Sequence, residues 1–232
     1  MRLNDPAVVQ QEYADETRLA ARKAAYAWAE GPDARDVVFD AVAEVRPRRI
    51  LEAGCGEGEL AERMARELGA DVVAIDQSER MVELTRARGV DAGVQDVQDL
   101  PFDDAAFDVA VAAWMLYHVA DLDGAVAELA RVLRPGGRLV AATNGPDHAR
   151  ELYDLLGVTP LESSFNSQNG EELLLRHFTR VERRDIRGWL LFPDADAAQT
   201  YVDAMVMLSG TVPRVAGPIR VRRTPSVFVA TK

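Results

Sequence analysis

The chain has 232 residues, 48% of them hydrophobic, and a net charge of −11. This length and composition predict one substantial hydrophobic core in a single domain over residues 1–232, because no shift in composition separates two domains of ordinary size. The single cysteine, Cys55, excludes an internal disulfide framework and a multi-cysteine zinc site within one chain.

The charge is unevenly distributed along the chain. Residues 176–232 contain ten Lys or Arg and five Asp or Glu, so the negative excess lies in residues 1–175. An acidic surface repels phosphate backbones, which argues against a nucleic-acid partner. The first residues lead into a charged helical pattern, with neither a signal peptide nor a membrane span. We therefore expect a cytoplasmic protein with no membrane partner, and the sequence leaves its oligomeric state open.

Helical patterns occupy the region before the first strand. Residues 8–29 are typical of one or two helices that end at Gly31, and Asp33 begins a further helix. We expect residues 1–46 to form a helical lid. Its aromatic and arginine side chains, Tyr13, Tyr26, Trp28, Arg18 and Arg22, are candidates to contact a ligand cation or carboxylate, and helix packing or solvation is the alternative for each.

Residues 48–143 alternate between strand and helix patterns. The predicted strands lie near 49–53, 71–76, 91–95, 107–113 and 138–143, with helices near 59–68, 79–88 and 123–133. Such alternation favours an α/β fold with a doubly wound, mostly parallel sheet covered on both faces. Ligands of such sheets bind outside the carboxyl ends of the strands, so residues 47–145 form the predicted binding core.

A glycine turn follows the first predicted core strand. Gly54, Gly56 and Gly58 stand two residues apart where an apolar run gives way to a helical pattern. They allow backbone conformations barred to other residues and remove side chains from the path of a ligand. Asp76 ends the next apolar run, where its carboxylate can accept two hydrogen bonds from a ribose diol. The pair of features predicts a nucleotide site.

The residues around this turn disfavour a phosphate group. Glu59 stands where the dinucleotide fingerprint requires its third glycine, and the chain contains no Gly-Lys-Ser or Gly-Lys-Thr. Glu57, Glu59 and Glu62 place negative charge at a helix start that would otherwise attract a pyrophosphate. S-adenosylmethionine, which has a positive sulfur and no phosphate, suits this setting.

Several motifs occur in an order that resembles the class I S-adenosylmethionine-dependent methyltransferases. They are LEAGCGEGEL at 51–60, DVQDLPF at 96–102, FDVAVAAWMLYHV at 107–119 and LRPGGRL at 133–139. The resemblance covers roughly residues 48–145. It implies a seven-stranded Rossmann-like fold whose last two strands form an antiparallel pair, with S-adenosylmethionine as the methyl donor.

The resemblance and the strand-end rule together nominate the cofactor site. By resemblance, Asp76 would bind the ribose, Asp96 the adenine amino group, and the Val97 amide the adenine ring. The full predicted cofactor set is Glu52, Gly54, Cys55, Gly56, Gly58, Asp76, Gln77, Asp96, Val97, Ala113, Trp114 and Tyr13.

Residues 146–232 supply the predicted acceptor side and the final strands. We expect helices near 147–156, 171–177 and 195–208, a strand over 180–192, a basic loop at 214–223 and a last strand at 227–230. The arginines of that loop are typical of a solvated surface, and an anion-binding patch is the alternative. Phe165, Tyr201, Met205 and Met207 can line an enclosed apolar pocket, which favours a small-molecule acceptor.

Methyl transfer from a sulfonium needs a base only when the acceptor must lose a proton. The candidate catalytic residues are His148 and His118, each with a structural role as the alternative. We expect no metal, because no Asp-Asn pair is available to supply oxygen ligands. An RNA- or protein-modifying methyltransferase and a non-catalytic S-adenosylmethionine-binding protein remain the alternative functions.

Overall fold

The computed structural model describes residues 3–12, 16–205 and 208–232, so Tyr13 and Met207 lie outside the described residues. Its strands are β1 (Ala29–Glu30), β2 (Arg49–Ala53), β3 (Asp71–Asp76), β4 (Asp91–Val94), β5 (Phe107–Ala113), β6 (Leu133–Asn144), β7 (Arg180–Asp185), β8 (Gly188–Phe192), β9 (Ile219–Arg223) and β10 (Pro225–Thr231). The α-helices are α1 (Pro6–Glu12), α2 (Glu16–Ala25), α3 (Ala34–Ala43), α4 (Glu59–Leu68), α5 (Glu79–Ala87), α6 (Leu122–Val132), α7 (Arg150–Leu156), α8 (Gly170–Leu174) and α9 (Ala195–Asp203).

Seven strands form the main sheet in the order β4-β3-β2-β5-β6-β10-β7. The strands from β4 to β6 run parallel, and β10 pairs antiparallel with both β6 and β7. The central strands are apolar along most of their length, as strands covered on both faces must be. The expected mostly parallel sheet with a C-terminal antiparallel pair is confirmed.

Helices bury both faces of this sheet. On one face Leu129 of α6 belongs to the same buried cluster as Phe107 of β5. On the other face Val38 of α3 and Met64 of α4 pack with Ile50 of β2. All five side chains are almost completely removed from water, which holds the strand ends rigidly at one edge. The turns at that edge therefore position the candidate site.

A second sheet, of order β1-β8-β9, overturns two predictions. The single strand expected over 180–192 is divided between the two sheets, because Ile186 N bonds to Pro225 O (2.9 Å) and the chain then leaves β10. Gly188 begins β8, where a Cβ would overlap the carbonyl oxygen of Glu30 on the neighbouring strand. The basic loop expected over 214–223 is also wrong in its second half, which forms β9 and pairs antiparallel with β8.

Several predicted boundaries also shift. The helix expected over 147–156 begins only at residue 150, because Ala149 has a left-handed backbone with φ of 57°. The helix expected over 195–208 ends at residue 203, and the one expected over 171–177 spans 170–174. The strand expected at 138–143 extends over 133–144. Within the described ranges, every helix falls short of the length and apolar composition that a membrane crossing requires.

Candidate cofactor and acceptor site

The glycine turn between β2 and α4 requires glycine at two positions. Gly54 has φ of 71°, and a Cβ there would lie 2.7 Å from the Cβ of Met115. Gly58 has φ of 75°, and its Cβ would lie 2.6 Å from the hydroxyl of Thr85. A larger residue at either position would therefore be strained by its backbone and would also collide with a neighbour. The turn is held tightly against the β5 end on one side and α5 on the other.

Asp76, the last residue of β3, supports the same turn. Its Oδ2 accepts a hydrogen bond from Gly56 N, and its Oδ1 accepts one from Ser78 N, each at 2.9 Å. Burial raises the pKa of Asp76, and the bonds from Ser78 and Gly56 oppose that rise. Each carboxylate oxygen has two lone pairs, so acceptor capacity beyond these bonds is available for a ribose diol. The ribose role of Asp76 stays a prediction.

Thr85 is a supporting residue that the sequence did not reveal. From α5 its hydroxyl donates to Gly56 O at 2.9 Å and lies 3.4 Å from the sulfur of Cys55. Burial raises the pKa of the Cys55 thiol to about 12, so this cysteine is a neutral packing group at physiological pH rather than a nucleophile. Its place in the turn follows from the small size of its side chain.

Glu52 is a buried acid directly below the turn. It is 3% exposed, and its Oε2 has no hydrogen-bond partner among the described residues. Burial raises the pKa of Glu52 to about 8, the charge of Asp76 adds to the rise, and a hydrogen bond from the Ala61 amide opposes it. A ligand that brings positive charge to this turn would stabilise the ionised carboxylate.

We expect Glu52 to make the ligand-free protein less stable as the pH rises. The folded pKa lies above that of an unfolded glutamate, so the folded state holds a proton that the unfolded state releases between about pH 4.5 and pH 8. The contribution of Glu52 to the free energy of unfolding is fully present below that window and is lost as the pH rises through it. The free energy of unfolding falls there by up to about 1.4 kcal/mol per pH unit. Chemical denaturation at several pH values measures this dependence of the free energy of unfolding on pH. The dependence should be flatter in Glu52→Gln and unchanged in the exposed control Glu83→Gln. Parallel curves for Glu52→Gln and the unsubstituted protein would contradict the assignment.

A cavity of about 460 Å³ lies beside the carboxyl ends of β3 and β4 and brings together residues predicted for the adenosine part of the cofactor. Gln77 and Asp96 line it, together with His118. The carboxylate of Asp96 accepts a hydrogen bond from Gln98 N at 2.9 Å. Val97 is buried behind this wall. Its side chain therefore packs in the core, and its predicted contribution is through the backbone.

A larger cavity of about 840 Å³ opens at the carboxyl ends of β5 and β6. Its wall combines the N-terminal segment with residues from the acceptor side, including Tyr26, Trp114, His118, His148, Tyr201 and Arg223. His118 lines both cavities, so the two are neighbours. Gln77, Asp96 and Trp114 of the predicted mouth line these cavities, whereas the glycine turn and Asp76 are not among their lining residues.

Trp114 follows β5 directly and adopts an unusual backbone. Its φ is 55°, and its amide donates to Ala142 O at 2.8 Å. The indole N–H donates to the side-chain oxygen of Asn144, 3.3 Å away at the end of β6. Strained non-glycine residues of this kind concentrate at ligand sites. Ala113, just before it, ends the strand and brings Trp114 to the cavity wall.

His148 lines the larger cavity, and a hydrogen bond fixes the tautomer of its ring. Thr224 N donates to its Nδ1 at 3.2 Å, so the neutral ring carries its proton on Nε2. Burial lowers the pKa of His148 to about 4, and the charge of Arg223 lowers it as well. The ring is therefore neutral at physiological pH and is arranged as a hydrogen-bond donor.

His118 has the opposite tautomer. Its Nδ1 lies 2.9 Å from Leu3 O, and since a carbonyl only accepts, Nδ1 carries the proton and Nε2 carries the lone pair. Burial lowers the pKa of His118, which the bond to Leu3 partly offsets. His118 thus carries its ring lone pair on Nε2, whereas His148 carries it on Nδ1.

Some of the residues predicted for the acceptor side line the larger cavity, and others lie elsewhere. Tyr201 and Met205 line the larger cavity, as does Arg22 on the N-terminal side. Phe165 instead fills the main core, where it is fully buried against Phe228 with ring centroids 5.6 Å apart. Trp28, a candidate aromatic of the lid, is 48% exposed.

Helix α2 contacts the glycine turn. Lys23 of α2 forms ion pairs with Glu57 and with Glu59, the latter at 2.9 Å. Leu19 of the same helix lies 3.9 Å from the position that a Cβ on Gly56 would occupy. These contacts fasten α2 to the turn, and its role as a lid over a bound ligand stays a prediction.

We expect a bound cofactor to stabilise this lid. Hydrogen exchange of backbone amides in residues 16–30 should slow when S-adenosylhomocysteine is added, because the ligand fills space beneath α2 and favours the closed position. The edge strand β7, which lines neither cavity, is the internal reference. Equal exchange in residues 16–30 with and without ligand would show that α2 is only a packing element.

Comparison with known proteins agrees with this geometry. The family described as methyltransferase domain matches residues 51–141. O-methyltransferase cnsE of Penicillium expansum is 42% identical over 154 residues, which cover 60% of this chain and 54% of that protein. O-methyltransferase rstn1 of Aspergillus nomiae is 34% identical over 169 residues, covering 65% of this chain and 72% of that protein. The chain thus spans about half the length of the first of these relatives.

A solved structure supports the fold independently. An S-adenosylmethionine-dependent methyltransferase of Thermotoga maritima, described as a possible histamine N-methyltransferase, aligns with a TM-score of 0.61 at 20% identity. The alignment covers 96% of this chain and 99% of that one. At this identity the likeness concerns the fold alone. Together with the relatives of higher identity, it shows that the chain belongs to the class I S-adenosylmethionine-dependent methyltransferases.

Proposed function

We propose that this protein transfers a methyl group from S-adenosylmethionine to an oxygen atom of a small molecule. The observation that carries the proposal is the glycine turn, fastened to Asp76, at the same carboxyl edge of the sheet as two adjoining cavities of about 460 and 840 Å³. The names of the two fungal relatives support oxygen as the acceptor atom.

The residues of the turn fit this cofactor. Gly54 and Gly58 let the turn pack closely against Met115 and Thr85. The Oε2 of Glu52, which has no hydrogen-bond partner in the described part of the chain, suits a ligand with positive charge. Gln77 and Asp96 would hold the adenosine in the smaller cavity, while Trp114 and the lid would enclose the methionine part. When bound, the cofactor supplies an electrophilic methyl group on a sulfonium that is already a good leaving group.

The protein then has to align the acceptor and exclude water. Tyr26 and Tyr201 give the larger cavity apolar walls with polar tips, and residues of α2 form part of its wall. A concave, partly apolar cavity suits a small, partly apolar acceptor rather than a polynucleotide, which requires an open basic track.

The two histidines take different roles in this proposal. His118 Nε2 would accept the proton of an acceptor hydroxyl, because its Nδ1 is committed to Leu3 O. His148 would donate its Nε2 proton to an acceptor oxygen and orient it, because its Nδ1 is held by Thr224 N. A neutral donor and a neutral acceptor can together fix the direction of a hydroxyl for in-line attack.

The test is a labelling experiment with cell extract. Purified protein and methyl-radiolabelled S-adenosylmethionine are incubated with extract, and the small-molecule, RNA and protein fractions are counted against a heat-killed control. The proposal predicts label in the small-molecule fraction and RNA at the level of the control. Labelling of RNA that falls steeply as salt is added would overturn it, because that dependence indicates phosphate contacts.

A further inference from the structure

The arginine at the end of β9 is buried without an acidic partner in the described part of the chain. Arg223 is 3% exposed, yet it lines the larger cavity. Its Nε has no hydrogen-bond partner, and no ion pair among the described residues includes it. Its guanidinium carbon lies 5.0 Å from the centre of the Tyr26 ring. A guanidinium carries five donor hydrogens, so this side chain is prepared to bind something that the protein itself does not supply.

Other cations of the same wall are matched by acids. Arg35 bonds to Asp33 at 2.8 Å, and Arg150 bonds to Asp154 at 2.9 Å. Lys23 is held by the glutamates at the glycine turn, and Arg22 makes contacts of its own. The charge of Arg223 acts on Asp33 as well. The carboxylate of Asp33, however, accepts a hydrogen bond from the amide of Arg35 and caps α3. Arg223 is thus an exception among the described cavity residues.

An unpaired buried charge opposes folding unless a counter-ion compensates it. Replacing such a charge by an apolar side chain of similar size often stabilises a protein. A position that keeps arginine under these conditions is therefore explained best by the ligand that enters the cavity. Lys23 of α2 is paired with Glu59 beside the glycine turn, whereas Arg223 belongs to the second sheet, where its charge acts on His148.

We propose that Arg223 binds a carboxylate of the acceptor, so that the substrates of this enzyme are small hydroxy acids. This inference rests on the proposed function, because it names the acceptor class of the same site. A planar guanidinium and a carboxylate match through two parallel hydrogen bonds, which would fix the acceptor relative to the histidines.

A single negative charge fits this environment better than a phosphate. His148 is neutral at physiological pH, and the acidic residue Asp33 lines the same cavity. A phosphate monoester would bring close to two negative charges against one unpaired guanidinium. One carboxylate balances the charge of Arg223 without excess.

The test uses 4-hydroxybenzoate and its neutral analogue 4-hydroxybenzamide as probes. Each is titrated calorimetrically into the full chain saturated with S-adenosylhomocysteine, at constant ionic strength. We expect the carboxylate to bind about tenfold or more tightly than the amide, the factor that corresponds to a hydrogen bond between charged groups. Arg223→Met should abolish this preference and should leave the affinity for S-adenosylhomocysteine unchanged.

Arg220→Met is the matched control, since it removes the same charge from an exposed position on the same strand. It should preserve the carboxylate preference. The melting temperature supplies a second readout that requires no ligand: Arg223→Met should melt at or above the temperature of the unsubstituted protein. A lower melting temperature would indicate a structural role and would overturn the proposal.

Other outcomes separate this inference from the proposed function. Equal binding of the two probes to the unsubstituted protein would overturn the carboxylate site, even if methyl transfer occurs. Loss of S-adenosylhomocysteine binding in Arg223→Met would also overturn it, by assigning Arg223 to the cofactor. Carboxylate binding through Arg223 in a protein that transfers no methyl group would leave the anion site standing and refute the enzymatic function.

Discussion

Replacing Asp76 by alanine should weaken S-adenosylmethionine binding by about 1.5–3 kcal/mol, or roughly 10- to 150-fold in the dissociation constant. The change removes the predicted acceptor of the ribose hydroxyls. It also removes the carboxylate that receives Gly56 N and Ser78 N, so the turn loses its support at the same time. Calorimetric titration with S-adenosylmethionine measures the effect, and circular dichroism confirms that the variant is folded.

Asp71→Ala is the control for this experiment. Asp71 begins the same strand at its opposite end, where its exposed side chain pairs with Arg49 at 3.2 Å. Removing an exposed ion pair changes little, so affinity should stay within a factor of two or so of the starting value. A folded Asp76→Ala variant with unchanged affinity would refute the assignment of the ribose site.

Replacing Gly58 by alanine should have the largest effect on stability. The new Cβ would be held at φ of 75° and would overlap Thr85, whose hydroxyl would be 2.6 Å and whose Cα would be 2.9 Å away. Backbone strain of about 1–2 kcal/mol and overpacking of about 1–3 kcal/mol predict a combined loss of roughly 2–5 kcal/mol. Cofactor affinity should fall as well, because the turn must move away from α5.

Gly69 provides a control on the same helix. It ends α4 with a left-handed φ of 64°, and a Cβ there would meet nothing within 4 Å. Gly69→Ala should therefore cost only the backbone strain of about 1–2 kcal/mol and leave cofactor affinity unchanged. Denaturant unfolding of both variants decides the matter: equal losses of unfolding free energy would show that the contact with Thr85 contributes nothing.

The central sheet could be predicted because its signals are local. Apolar runs predicted β2, β3 and β5 with the bounds that the structure shows. The glycine turn and Asp76 could be found for the same reason, since their spacing in sequence fixes their meeting at adjacent strand ends.

The second sheet could not be predicted because it depends on distant pairings. β1 has only two residues, too few for any periodic pattern, and it exists because β8 lies beside it. β9 alternates arginine with apolar residues, which is also the composition of a solvated loop. Only its pairing with β8 turns Val221 and Arg223 inward.

Side chains that contact residues far away in the sequence could not be predicted for a related reason. Thr85 reaches the glycine turn from the middle of α5, and nothing in its neighbourhood marks it. Arg223 belongs to a cluster of arginines in which Arg220 and Arg222 are exposed and paired with Glu30 and Glu151. Burial alone distinguishes it from them, and burial is a property of the tertiary structure.

The central claim, that the glycine turn receives S-adenosylmethionine and not a dinucleotide, is tested most directly by titrating the full chain with two ligands. Isothermal calorimetry should give saturable binding of one S-adenosylhomocysteine per chain, and no binding of NAD at the same concentration. The acids at the start of α4, Glu59 and Glu62, repel a pyrophosphate and leave a ligand without phosphate unaffected. Binding of NAD, or no binding of S-adenosylhomocysteine, would contradict the account.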